Sequence, residues 1–201
     1  MVDSASLHQN FIGRLGRSGA EPDAHQQRAL NACTELVQRI DRSLAESAAS
    51  RLWGLIPLRW LRRKPANGVT GLYLWGSVGR GKTLMMDTLL EALPPKTWRR
   101  VHFHRFMLEI HEGLRRLKDE KDPLRRISRE ISSETRVLGF DEFQVTDIGD
   151  AMILSGLLHA LIENGLTLIF TSNTPPRPVS YTHLRAHETR EELVCRLLLE
   201  K

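Results

Sequence analysis

An α/β domain with a parallel sheet and helices on both faces is the fold class this sequence predicts, and three observations predict it. Short apolar runs of strand length stand at residues 72–74, 137–140 and 166–170. Between them lie longer stretches whose apolar residues recur at helical spacing. The runs also stop at glycine, acidic or polar residues, as strands of open parallel sheets do at the edge where ligands bind. With 201 residues, 41% hydrophobic and 26% charged, the chain has ordinary globular composition and length for one such domain with a core.

Taken in order, residues 1–20 are rich in Gly, Ser and Arg with scattered apolar positions, and a disordered leader is expected there. Residues 21–64 read as a helical and basic connector region. From Pro22 to Ala49 the residues Ala29, Leu30, Cys33, Leu36, Val37, Ile40 and Leu44 recur at helical spacing, an amphipathic helix that packs on the domain. Arg51 to Lys64 follows with five positive charges, two tryptophans and no acid. Such a stretch can lie on an anionic membrane, or it can be a connector whose Trp and Leu side chains cover the core while its arginines stay wet. Gly54 and Pro57 interrupt any continuous helix and favour the connector.

Residues 65–178 form the predicted core. Leu72, Tyr73 and Leu74 read as a buried strand that runs into Gly76-Ser77-Val78-Gly79-Arg80-Gly81-Lys82-Thr83, which fills the pattern G-x-x-x-x-G-K-[ST] of a phosphate-binding loop. Glycines there let backbone N–H groups turn onto phosphate oxygens, and the following helix presents its positive end. Lys82 supplies a charge for the β- and γ-phosphates, and the Thr83 hydroxyl is a candidate ligand of Mg²⁺. The helix places Met85, Met86, Leu89, Leu90 and Leu93 on one face and ends at Pro94-Pro95.

Residues 100–107 alternate like a strand running into a helix. His102 and His104 would share one strand face, with only His111 as a further ligand near them in sequence, a poor basis for a metal site. The helix continues through Leu117, a charged turn follows, and Pro123 opens another helix. Val137-Leu138-Gly139-Phe140-Asp141-Glu142 is then a buried strand ending in two acids, a Walker B strand in which Asp141 holds Mg²⁺ and Glu142 orients and polarises the attacking water. A helix from Ile148 to Glu163, with Met152, Ile153, Leu157, Leu158, Leu161 and Ile162 inward, closes at Asn164-Gly165. The strand Leu166 to Asn173 again ends in polar residues at that edge, where the Asn173 amide can hold a γ-phosphate oxygen and the lytic water.

Net charge is +5 with a pI near 9.6, which permits an acidic partner without requiring one. Two cysteines, Cys33 and Cys195, show neither zinc nor disulfide spacing, and no apolar run is long enough to span a bilayer. These features point to the cytoplasm. No guanine-reading Asn-Lys-x-Asp follows the loop, which argues against a GTPase, and a small-molecule kinase would not need Glu142 directly after the metal Asp.

With these residues in view the chain resembles the ZapE family of cell-division ATPases, bacterial relatives of a mitochondrial AAA-type ATPase. The blocks that carry the resemblance are Gly71 to Gly76, His102 to Met107, Phe140-Asp141-Glu142-Phe143-Gln144-Val145-Thr146-Asp147-Ile148 and Thr171-Ser172-Asn173. The resemblance implies an AAA+ core whose first strand lies beside the strand ending at Asn173, and ATP hydrolysis with ATP and Mg²⁺ as cofactors. It also implies a protein partner in the division or envelope machinery; the client, peripheral membrane contact through Arg51 to Lys64 and a homo-oligomer are left open. A nucleic-acid loader and a nucleotide-gated binding module without turnover are the rival readings. After Pro176 the family pattern of a further strand, an arginine reaching a neighbour's nucleotide and a helical lid has no counterpart, so the core is expected to be incomplete, impaired in hydrolysis and bare at the edge of its phosphate-loop strand. Residues 179–201 instead resemble translated sequencing-adaptor sequence, a non-native tail, with a divergent helix on Leu193, Leu197 and Leu198 as the alternative.

Overall fold

The computed structural model describes residues 4–16, 21–52, 71–175 and 195–198. Helices α1 (Ser4–Gly16) and α2 (Ala24–Leu52) precede strand β1 (Gly71–Trp75). Then come α3 (Lys82–Glu91), β2 (Trp98–His102), α4 (Phe103–Arg116), α5 (Pro123–Glu134), β3 (Val137–Asp141), α6 (Ile148–Glu163), β4 (Thr167–Ser172) and β5 (Cys195–Leu198). The five strands pair in the order β2-β3-β4-β1-β5, all parallel.

Alternation along the strands divides the core into two layers. Leu72, Leu74, Val137 and Ile169 face one way and pack with α1, α2 and α3 through Leu7, Phe11, Leu30, Leu36, Met86 and Leu89. Tyr73, Leu138, Phe140, Leu168 and Phe170 face the other way, onto α4, α5 and α6. The β1–β4 register pairs Gly71 with Leu168 and Trp75 with Ser172, so the phosphate-loop strand lies beside the strand expected. Gly71 is required by that closeness: a Cβ there would sit 2.2 Å from the Leu168 carbonyl oxygen.

Helix limits follow their capping residues. Asp122 caps α5 through its bond from Arg125 N, with Pro123 in the first turn, and Asp147 caps α6 by accepting from Gly149 N and Asp150 N.

Four expectations are corrected. Residues 4–16 are helical rather than a disordered leader, because Leu7 and Phe11, a helical turn apart, are buried against α2 and α3. His102 ends β2 while His104 lies in α4, so the two do not share a strand face, and His111 Nε2 is 2.7 Å from Asp150 Oδ1. Met152 points outward, 63% exposed, because the buried stripe of α6 runs through Leu154, Leu157 and Leu161. Residues 195–198 are a strand on β1 rather than a helix, and β1 is therefore not a bare edge. The rest of the adaptor-like tail, and the basic stretch from Trp53 on, lie outside the described residues. Among the described residues no helix is long and apolar enough to cross a membrane.

Candidate nucleotide site

The carboxyl ends of β1, β3 and β4 bring the candidate residues together. β1 ends at Trp75 and the chain turns through Gly76 to Gly81 into α3. Gly79 and Gly81 adopt φ of 82° and 78°, a left-handed conformation that glycine takes without strain, and this curls the backbone at the helix start. The Gly76 N–H donates to Ser172 O at 3.3 Å, tying the start of the loop to the end of β4. Asn173 follows directly and is exposed at that edge.

Lys82 opens α3 and is only 8% exposed. Its Nζ donates to the carbonyls of Gly76 and Ser77, both at 2.9 Å, so the ammonium folds back across the loop. Burial lowers the pKa of this lysine, and the Asp141 carboxylate partly opposes that shift. An anionic ligand in the loop would favour the charged ammonium.

Asp141, at the end of β3, is buried and held from several sides. Its Oδ1 accepts from the Thr171 hydroxyl at 2.6 Å and from the Thr83 hydroxyl at 3.4 Å. Its Oδ2 accepts from the Arg100 guanidinium on β2, whose Nη1 also donates to Asp87 Oδ1 on α3 at 2.6 Å. Burial alone would raise the Asp141 pKa, but the Thr171 hydroxyl and then Arg100 outweigh it and hold the carboxyl below its ordinary value. Asp87 is shifted the other way, because burial there exceeds the attraction of Arg100.

Glu142 sits one residue beyond, exposed and at φ 54°, an uncommon conformation for a side-chain-bearing residue. The conformation is fixed by its own N–H, 3.2 Å from both Asp141 Oδ1 and Thr171 Oγ1, and by the Phe143 N–H donating to Thr171 O at 2.7 Å. Beneath it Phe143 packs edge-on to Phe103 and to Phe170, each with centroids 4.7 Å apart, while Phe140 stacks on Phe170 at 5.1 Å. This apolar floor seats the acidic turn.

The structure thus gathers Gly76, Ser77, Val78, Gly79, Arg80, Gly81, Lys82, Thr83, Asp141, Glu142 and Asn173 at one sheet edge. Sequence reasoning missed Arg100 and Thr171 as the partners of Asp141. Thr171 had a visible signal, since it precedes Asn173 in a strand running beside β3. Arg100 had none beyond its place in an alternating strand. The Thr83 hydroxyl beside the Asp141 carboxylate offers hard oxygen donors next to a phosphate-binding loop, a donor set that suits Mg²⁺, which takes few protein ligands.

Residues 5–189 match the AFG1-like ATPase family. Cell division protein ZapE of Escherichia coli (strain K12) is 40% identical over 178 residues, covering 87% of this chain and 48% of that protein. Lactation elevated protein 1 homolog B of Danio rerio is 40% identical over 117 residues, covering 53% of this chain and 23% of that protein. The chain spans about half the length of its Escherichia coli relative. AMPPCP-bound DnaA from Aquifex aeolicus aligns with a TM-score of 0.50 at 14% identity, over 78% of this chain and 41% of that chain, a likeness of fold.

Proposed function

This chain belongs to the AFG1-like ATPase family, and from that premise we infer that it binds ATP with Mg²⁺ at the loop of Gly76 to Thr83 and hydrolyses it in a role linked to cell division. The observation that carries the reading is the meeting of Thr83 and Asp141, hydroxyl to carboxylate at 3.4 Å, although 58 positions separate them in the chain. A phosphate loop alone would bind an anion. A buried carboxylate beside its threonine adds the means to hold the metal that accompanies a nucleoside triphosphate.

In this reading the N–H groups of residues 77–83 cradle the β- and γ-phosphates, and Lys82 leaves the carbonyls of Gly76 and Ser77 to meet them. Thr83 and Asp141 would hold Mg²⁺, which when bound neutralises charge on the phosphate oxygens. Arg100 and Thr171 fix the Asp141 carboxylate so that one oxygen is turned to Thr83. Glu142, exposed beside it, orients and polarises the attacking water, and Asn173 positions the γ-phosphate. The partner in this reading is a protein of the division machinery, carried over from the relative's name.

Lys82→Ala should weaken binding of a fluorescent ATP analogue by about 100-fold or more, whereas Glu142→Gln should leave binding within about threefold and lower phosphate release by about 100-fold or more. Equal loss of binding in both variants would contradict the assignment.

A further inference from the structure

Helix α2 touches the phosphate-binding loop through its own N-terminal cap. The Asp23 carbonyl accepts the first helical bond, from Gln27 N at 2.9 Å, and Asp23 Oδ1 accepts from His25 N at 2.9 Å and Gln26 N at 2.8 Å. The Gln26 Oε1 answers by accepting from Asp23 N at 3.0 Å, which completes a reciprocal capping box. That bond uses the amide oxygen of Gln26 and leaves its nitrogen for another acceptor. The acceptor is the Arg80 carbonyl of the loop, at 3.2 Å. The second oxygen of Asp23 pairs with the Arg80 guanidinium at 3.4 Å. Gly81 runs directly past this contact: a Cβ built on it would lie 3.7 Å from Gln26 Nε2 and 3.9 Å from Phe11 Cζ. Gln26 and Phe11 are both buried, so the junction is packed as well as bonded.

We propose that the Asp23-x-x-Gln26 capping box is a positioning device for the phosphate-binding loop, through which helix α2 sets nucleotide affinity. The physical link is the planar trans peptide between Arg80 and Gly81. Its C=O and N–H point in opposite directions, so holding the Arg80 oxygen against Gln26 turns the Gly81 N–H away from the start of α2. Gly81 alone would not keep that orientation, since glycine is the residue least restricted in φ and ψ. The cap therefore supplies a constraint that the loop sequence lacks, and it ties that constraint to the start of α2. Coupling of this kind is reciprocal: whatever displaces α2 loosens the loop, and whatever fills the loop steadies α2.

The affinity part rests on the ATP reading above, so the test has one arm that needs no nucleotide. Gln26→Glu keeps an acceptor for the Asp23 N–H, as in the usual capping box, but loses the donor to Arg80 and sets negative charge against its carbonyl. In nucleotide-free protein, hydrogen exchange of the peptide spanning residues 76–84 should quicken by about fivefold or more in Gln26→Glu while the unfolding midpoint moves by less than about 2 °C. The fluorescent ATP analogue should then bind about tenfold more weakly. Gln26→Leu, which removes both bonds, should quicken loop exchange and also lower the midpoint. Unchanged loop exchange in Gln26→Glu overturns the proposal, and faster exchange with unchanged affinity overturns its affinity clause. Should the parent chain bind no analogue, the ATP reading falls while the exchange arm still decides whether the cap holds the loop.

Discussion

Between Gly76 and Thr83 the backbone itself makes the shape, with left-handed turns at Gly79 and Gly81, whereas around Asp141 each oxygen is fixed by side chains from other elements: Thr83, Thr171 and Arg100. The loop's turns lie in contiguous residues, and its outside anchors include the Ser172 carbonyl at Gly76 and the Asp23–Gln26 cap at Arg80. The acid depends on residues delivered by β2, β4 and α3, and on a floor of phenylalanines beneath it. One half of the site is therefore sensitive to conformation and the other to charge and register.

Removing Arg100 tests the charge-dependent half most severely. Arg100→Met should destabilise the protein by about 2 kcal/mol in urea unfolding, since it leaves the buried Asp141 carboxylate short of a partner and frees the half-buried Asp87. The figure stays below that for a fully buried pair because the guanidinium is partly solvated. A change under about 0.5 kcal/mol would mean that solvent replaces the arginine without loss.

The conformational half is probed by Gly81→Ala beside Val78→Ala. A side chain at φ 78° is strained, so Gly81→Ala should cost about 1 kcal/mol and disturb nucleotide binding. Val78 is 82% exposed on the same loop, and its truncation should stay within about 0.5 kcal/mol. Equal effects would show that composition rather than backbone shape governs the loop.

What the sequence reveals follows the same division. The loop, its strand and α3 could be read from contiguous residues, because glycines, lysine and threonine act at fixed spacing. The acidic strand was legible for a similar reason, and so were the start of α5 at Pro123 and the span of α6 from Ile148 to its close at Asn164-Gly165, although their caps Asp122 and Asp147 emerge only in the structure. Arg100 and Thr171 were not, since their partner lies on another strand and only register brings them together. Residues 4–16 were misread because Gly, Ser and Arg suggest disorder when taken singly, while Leu7 and Phe11 acquire meaning only once α2 and α3 are there to cover them. Met152 shows the same limit from the other side: an apolar residue in a helix need not face the core.

A smaller effect sharpens the comparison through pH. The folded pKa of Asp141 lies below its unfolded value, so its contribution to stability is fully present above the ordinary carboxylate range and is lost as pH falls through the depressed folded value. Thr171→Val removes one of the groups holding that carboxyl down. Stability below pH about 4 should then depend less steeply on pH in the variant than in the parent, as read by urea midpoints across that range. An unchanged slope would assign the depression to other groups.

The central claim is that the two halves meet on one metal, and a double-mutant cycle across Thr83 and Asp141 addresses it directly. Affinity for the fluorescent ATP analogue would be measured with Mg²⁺ and with EDTA for the parent, Thr83→Val, Asp141→Asn and the double variant. If both residues hold the same ion, each single change should remove most of the gain that Mg²⁺ gives, and the double change should remove little more. Losses that simply add, or a Mg²⁺ gain that survives both changes, would contradict a shared metal and separate the loop from the acidic strand.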